Sequence, residues 1–381
     1  MEKLKNIPSL RFSEFNGNWN NRKIKEILSI GSGRDYKNLG VGDVPVFGTG
    51  GLMTKVDSYL NDGETVCIGR KGTIDKPMYF NGKIWTVDTL FYTHSFKESN
   101  PKFVYNLFQR VNWKQHNEAG GVPSLSKSTI EQISLSLPTL PEQQKIATFL
   151  SSVDEKIQLL SRKKELLEQY KKGVMQQLFS GELRFKDENG DDYADWEEKK
   201  LGEIAKYYDG THQTPNYVES GIPFYSVEHV TANQFSKSKY ISKEVFEKEN
   251  KRVKLEKGDI LMTRIGDIGT SRLIDWDVNA SFYVSLALIK QNENYNSSFL
   301  NQYISSVYFQ KELWANTIHV AFPKKINLGE IGKCKIILPC LKEQQKIATF
   351  LSSIDVKIER INQQINKMQS FKKGLLQQLF V

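Results

Sequence analysis

The chain of 381 residues leaves room for two to three domains of about 100–200 residues, and its 53 basic against 44 acidic residues give a net charge of +9, the direction expected of a nucleic-acid binder. No run of 18 apolar residues occurs and no apolar stretch follows the first five residues, so neither a membrane-spanning helix nor a signal peptide is expected. Three cysteines, Cys67, Cys334 and Cys340, cannot all pair and have no metal-ligand spacing, so a reducing, cytoplasmic setting is expected.

A leading segment comes first, with Leu10-Arg11-Phe12 and then Trp19–Ile27. Strand-like runs bounded by turns follow at Val44–Phe47, Thr65–Ile68 and Lys83–Val87, with a helical stretch at Pro101–Val111. The turns carry candidate binding residues. Arg34, Tyr36 and Lys37 lie in a glycine-containing segment that starts at Gly31. Thr49 lies in Gly48–Gly51, Arg70 and Lys71 in Ile68–Thr73, and Lys114, His116 and the loop Gly120–Ser124, ending on Ser124, follow. Arginine and lysine donate to guanine edges or phosphates, and glycine lets a backbone approach closely.

A long helix is predicted next. Ile146, Val153, Leu160, Leu167 and Val174 recur every seven residues, with Leu150, Ile157 and Leu178 beside them, which makes one apolar stripe. Pro141 and Glu142 suit a helix start, and a helix from about 141 to 179 is ~58 Å long at 1.5 Å per residue. Gly181, Asn189 and Gly190 then break the pattern.

The second half reads in the same order. Leu183-Arg184-Phe185 and Trp196–Ile204 echo the leading segment, and strand-like runs lie at Asp259–Thr263, Ser281–Ile289 and Lys335–Leu338, with a helical stretch at Ser297–Leu313. Its candidate binding residues are His212, Gln213 and Thr214 in Asp209–Pro215; Ser226, Glu228 and His229 in Tyr225–His229; Arg264 in Met262–Gly269, which parallels the glycine-arginine loop of the first half; and Lys324 and Lys325. Glutamine binds adenine through two hydrogen bonds, and glutamate accepts from cytosine.

The duplication becomes unmistakable at the end. Leu137–Phe179 and Leu338–Phe380 align without a gap at a constant offset of 201 (Leu137 with Leu338), and Ile347, Ile354, Ile361, Met368 and Leu375 repeat the stripe in phase. The expected division is 1–140 first domain, 141–181 first helix, 182–340 second domain and 341–381 second helix. Both domains read as α+β or α/β. The stripes are expected to pair with each other about a pseudo-twofold axis. The 17 residues from Phe179 to Trp196 reach only ~56–61 Å when stretched. That favours antiparallel, coiled-coil-like helices with a domain at either end. Each helix packed on its own domain would also bury a stripe, but it would not require polar positions to repeat. Glu142, Gln143 and Lys145 return as Glu343, Gln344 and Lys346, and Lys171–Gly173 with Gln176 and Gln177 return as Lys372–Gly374 with Gln377 and Gln378. Two equivalent docking surfaces for two copies of one partner are therefore expected.

Catalytic readings fare worse. No glycine loop completes a dinucleotide or phosphate-loop pattern. Asn100–Phe103 resembles the Asn-Pro-Pro-aromatic motif of amino-methyltransferases but lacks its second proline and a glycine-rich cofactor strand upstream. Glu197–Lys199 has the carboxylate-x-lysine spacing of nucleases but falls in the repeated leading segment and reads as a helix surface. His94 and His319 have no Cys or His neighbours to bind a metal. A helical scaffold whose ends bind proteins remains the other non-catalytic reading.

The half-repeat of a variable domain, then LPxLxEQQKI, then a long helix ending KKGxxQQLF, resembles the specificity subunit of Type I restriction-modification systems over essentially the whole chain. The resemblance implies two target-recognition domains on an antiparallel helical spacer, each reading one half of a split, asymmetric sequence in double-stranded DNA. It further implies a chain with no catalysis or bound cofactor of its own. Two methyltransferase subunits would dock near the helices and bring S-adenosylmethionine chemistry at adenine, and two restriction subunits, with ATP and Mg, could join. Recognition domains are the family's variable part. Only the Gly-Thr-His-Gln-Thr-Pro and Arg-x-Gly loops are similar to recurrent family segments.

Overall fold

The computed structural model describes residues 6–381. The chain divides into two compact units, one running to Arg162 and completed by Asn362–Val381, the other Lys163–Ile361. Both boundaries fall inside the long helices, Leu140–Phe179 and Leu341–Gln378, so each unit holds the opening turns of one helix and the closing turns of the other.

In the first unit the strand Asn20–Lys23 pairs antiparallel with Ser134–Leu137, which brings the leading segment back beside the start of the long helix. A four-stranded sheet follows in the order Ser29–Ser32, Leu90–His94, Glu64–Gly69, Met78–Asn81. Gly51–Val56, Val44–Gly48 and Trp85–Thr86 form a smaller sheet, whose last pair is parallel. The helix Pro101–Phe108 starts where Asn100 accepts from the Phe103 amide at 2.9 Å with Pro101 behind it, a sequence-local cap.

The core joins Trp19, Ile24, Val66, Phe103 and Phe108 to Ile146, Leu150 and Val153 of the first long helix and to Leu375, Leu379 and Phe380 at the chain's end. The Phe380 ring lies 5.1 Å from that of Phe103. Burying a phenylalanine is worth about 2–3 kcal/mol. The Lys372 ammonium sits 2.7 Å from the Asp154 carboxylate, while Gln378 accepts from Leu10 beside the opening turns. The two helix segments therefore run in opposite senses within the unit.

The second unit repeats this plan. Glu197–Lys200 pairs with Lys335–Leu338, and the main sheet runs Tyr207–Asp209, Leu286–Ile289, Ile260–Ile265, Asp267–Leu273. A second sheet runs Tyr217–Val218, Lys239–Ile241, Ile222–Tyr225, Ser281–Phe282. Val174, Leu178 and Phe179 enter its core beside Ile347, Leu351 and Ile354, with the Phe179 ring 5.1 Å from Tyr303 and Lys171 bonded to Asp355 at 2.7 Å. The antiparallel expectation thus holds inside each unit, and the stripes bury against both the other helix and a globular domain.

Some elements differ from the sequence reading. Ser281–Ile289 is two strands, because Leu286 turns back on the Tyr283 carbonyl between them. Ser297–Leu313 is two helices, Ser297–Ile304 and Val307–Ala315, because the Ser306 hydroxyl caps the second through the Phe309 amide. Lys83–Val87 shrinks to Trp85–Thr86. Glu197–Lys199 lies on a strand and not on a helix: its ladder with Lys335–Leu338 overrides local helix preference.

Candidate nucleic-acid interface

In the first unit, five turns meet at one end of the sheets. A Cβ on Gly33 would run into the Val87 carbonyl, so glycine alone lets the segment after Ser29–Ser32 lie against it. The next amide, of Arg34, donates to Thr86 at 2.8 Å, and the Trp85 indole donates to the Arg34 carbonyl at 2.9 Å. Tyr36, Lys37 and Thr49 then line one open cleft of about 740 Å³ with Gly50, Gly51, Asp88 and Thr89. The turn after Glu64–Gly69 joins them, since the Arg70 and Lys71 amides donate to Thr89 at 2.8 and 3.3 Å. Ser124 arrives through a bridge to Lys71, and Gly72 donates to Pro123 at 2.9 Å. Arg34, Lys37 and Lys71 are exposed, and the Arg70 guanidinium lies 5.7 Å over the Phe91 ring.

Two first-unit candidates have other company. Lys114 pairs with Asp75 at 2.9 Å and holds that exposed carboxyl below its usual range. His116 lines a separate hollow with Ser128, Thr129 and Gln132.

The second unit assembles the same turns with different side chains. Gly210 packs on the Phe282 carbonyl as Gly33 does on Val87, and the Thr211 amide donates to Phe282 at 3.0 Å, as Arg34 does to Thr86. His212, Gln213 and Thr214 stand exposed beyond it, with the Thr214 hydroxyl 3.1 Å from that of Tyr283. Tyr283 donates to Tyr225, beside Ser226 and exposed Glu228. The Arg264 amide donates to Ser285 at 3.0 Å, as Arg70 does to Thr89, and Gly266 donates to Lys324 at 2.8 Å, as Gly72 does to Pro123. Lys325 bridges Ile265.

Two side chains expected to read DNA turn inward. Arg264 is 7% exposed: its guanidinium donates to the Val284 carbonyl at 2.8 Å and the Ile326 carbonyl at 3.2 Å, and reaches Asp209 at 3.4 Å. It ties three turns together, because a guanidinium has donors enough for several carbonyls at once. His229 is 5% exposed, and its Nδ1 accepts from the Ser226 amide at 3.0 Å, closing the helix start Val227–Ala232.

Asp209 is the electrostatic centre of this end. Burial opposes its charge, but Arg252, donating at 2.6 Å, and the His212 ring, at 2.8 Å, outweigh it and hold the carboxyl below its usual range. Sequence reasoning missed Asp209 as an anchor, and Arg252 and Tyr283 entirely. Arg252 lies in a basic run that reads as solvated surface, 43 residues from its partner. Among the described residues no three His, Cys, Asp or Glu side chains gather to hold a metal, and no helix is long and apolar enough to cross a membrane.

The model for the Type I restriction modification DNA specificity domain matches the chain twice, over residues 16–169 and 193–370. The chain belongs to this family. The Type I restriction enzyme MjaVIII specificity subunit of Methanocaldococcus jannaschii is 29% identical over 332 residues, 83% of this chain and 75% of that one. The EcoBI specificity subunit of Escherichia coli is 26% identical over 283 residues, 68% of this chain and 59% of that one. The fold is that of the Type I restriction-modification S subunit from M. genitalium, with a TM-score of 0.68 at 18% identity over 98% of this chain and 99% of that one. DNA target recognition is this family's work, and the two matched segments each contain one set of converging turns.

Four of the repeated residues at the helix starts of this specificity chain have an internal role, and the expectation that Glu142, Gln143, Glu343 and Gln344 belong to a docking surface is corrected. Glu142, Gln143, Glu343 and Gln344 are each no more than 1% exposed. Gln143 accepts from the Asn100 amide at 2.9 Å and donates to Pro138, and Gln344 does the same with the Asn296 amide at 2.8 Å and Pro339. The two glutamates are held by arginine and tryptophan of the leading segments. The sequence repeats because the same helix-to-domain joint is built twice. Lys145 reaches Glu14 at 3.2 Å and Lys346 donates to the Lys186 carbonyl at 2.7 Å. Repeated residues that do face solvent include Gln144 and Gln345 at the helix starts and, near the helix ends, Lys172, Gly173 and Gln176 with the counterparts Lys373 and Gln377.

Proposed function

We propose that each unit reads one part of a two-part sequence in double-stranded DNA, and that the chain carries no catalysis itself. The observation that carries this is the equivalence of the two turn clusters, scaffold for scaffold, with different outward side chains. In the first unit Arg34, Tyr36, Lys37, Thr49, Arg70, Lys71 and Ser124 face the target; cationic groups suit guanine edges and phosphates. In the second, His212, Gln213, Thr214, Ser226, Glu228, Lys324 and Lys325 do so; Gln213 suits adenine and Glu228 suits the cytosine amino group. Lys114 and His116 serve at the margin, by phosphate contact. Arg264 and His229 act through the turns they hold.

The partners in this reading are two methyltransferase subunits, which bring S-adenosylmethionine to adenine, and two restriction subunits, which bring ATP and Mg. Docking falls to the exposed repeated residues at the helix ends, together with Lys145 and Lys346.

The test is to co-express the chain with its methyltransferase and map methylated adenines across host DNA. A two-part sequence is expected, and an uninterrupted one overturns the reading. Exchanging Ile68–Thr73 should alter one part only, and exchanging Thr211–Thr214 the other; a change in both parts, or in neither, refutes the assignment of units.

A further inference from the structure

The loop that brings Lys324 and Lys325 to the second cluster has a stem and a tip of opposite character. The stem is fixed: Ile318 donates to Lys325 at 2.8 Å, Gly266 to Lys324 at 2.8 Å and Ile326 to Arg264 at 3.0 Å. The His319 ring lies 4.3 Å from that of Trp314, and the Lys324 ammonium lies 4.8 Å from the centre of the same ring. The tip is apolar and bare. Val320 is 96% exposed and Phe322 104%. A phenylalanine as exposed as in an unfolded chain contributes nothing to folding, so the fold explains the stem and leaves the tip unexplained.

The first unit repeats the device. Gly72 donates to Pro123 and Leu125 to Arg70, both at 2.9 Å, and the tip carries Gly120 and Gly121, with open space around them, and Val122, 67% exposed. Both tips hang from the Arg-x-Gly turn that belongs to the proposed interface.

From this placement we propose that Phe322 is a wedge that enters a base step of the second DNA half-site, with Val122 as a smaller counterpart in the first. The inference rests on the function proposed above. An apolar ring flanked by exposed Lys324 and Lys325 matches a partner whose apolar base faces lie between rows of phosphates. Aromatic faces stack on any base, so the wedge adds affinity and reads how easily the step opens, not its hydrogen-bond edges. A lone ring on a lysine-flanked tip is poorly matched to a protein partner, whose interface core is depleted of charge.

The experiment uses the assembled complex with its methyltransferase and duplexes carrying the mapped target, with 2-aminopurine at each step of the second half-site in turn. Wild type is expected to raise emission at one step by unstacking it. Phe322→Ala should abolish that rise and weaken binding roughly tenfold with an unchanged salt slope, and Phe322→Trp should restore both. Lys324→Ala with Lys325→Ala should lower the salt slope instead. Wild-type emission and affinity in F322A overturn the wedge while leaving the two-part reading intact. Loss of methyltransferase assembly in F322A with normal DNA binding also overturns it, and assigns the tip to a protein. Failure of the wild-type complex to prefer a two-part target overturns both inferences.

Discussion

Arg11 donates through Nε and Nη2 to the two carboxylate oxygens of Glu142, each at 2.8 Å, across 131 residues of chain. Trp19 adds an indole hydrogen bond at 3.3 Å, and the second unit repeats the set with Arg184, Trp196 and Glu343. Both carboxylates lie in the first turn of a long helix, where the helix dipole favours negative charge. Glu142→Ala or Glu343→Ala should each destabilise its own unit by about 3 kcal/mol, because a half-buried arginine loses the buried carboxylate that it holds, and Arg184 keeps only the exposed Asp195 at 3.9 Å. Glu142→Gln keeps the shape and one acceptor and should cost less. Urea unfolding followed by the tryptophans checks this; a loss under about 0.5 kcal/mol, the range of ordinary surface changes, would put the joint on the surface.

Phe380 is the penultimate residue yet only 3% exposed, packed among Trp19 and Phe103. Phe380→Ala should destabilise the first unit by about 3–5 kcal/mol, as large-to-small changes in an aromatic core do. Phe179→Ala should do the same to the second unit, where its ring meets Phe299 and Tyr303. Limited proteolysis reads each unit separately, and protection lost in the second unit for Phe380→Ala, or in the first for Phe179→Ala, would contradict this assignment.

Asp209 has a folded pKa below its unfolded one, so its contribution is complete at neutral pH. It declines as pH falls below roughly 4 and vanishes once pH has passed the folded value. Asp209→Asn should therefore destabilise the second unit at pH 7 by about 3 kcal/mol, since Arg264 is left buried without its counter-ion. Wild type and variant should converge in acid. A gap that stays constant from pH 7 to pH 3 would show that the carboxylate's charge is not what holds the turns.

Gly173 and Gly374 sit inside long helices with open space where a Cβ would go. Glycine there costs the helix about 1 kcal/mol relative to alanine, with no packing among the described residues to account for it. Gly173→Ala and Gly374→Ala should raise stability by about 0.5–1 kcal/mol each. If the exposed helix ends dock the methyltransferase, both should weaken assembly, measured by titrating the partner. A more stable chain that assembles as before would remove these glycines from the docking face.

The duplication, the phase of both stripes and some of the strands, such as Glu64–Gly69 and Ile260–Ile265, could be read from the residues in order, because each is a local or periodic pattern. Candidate turns could also be located, since glycine beside arginine or histidine marks a close backbone approach wherever it falls. The convergence of those turns could not, because Arg34 meets Thr86, and Arg70 meets Thr89, through hydrogen bonds between segments that no spacing links.

What the sequence determined by itself is that one unit is built twice and that its helices must bury one face. Only the tertiary structure decided which repeated residues serve the fold and which face outward. Repetition records a constraint without recording its direction: Glu142 and Lys172 repeat equally well, yet one is sealed under Arg11 and the other lies in solvent. The same limit hid Arg264, a cation in a turn that becomes a staple because three carbonyl and carboxylate acceptors from distant segments surround it.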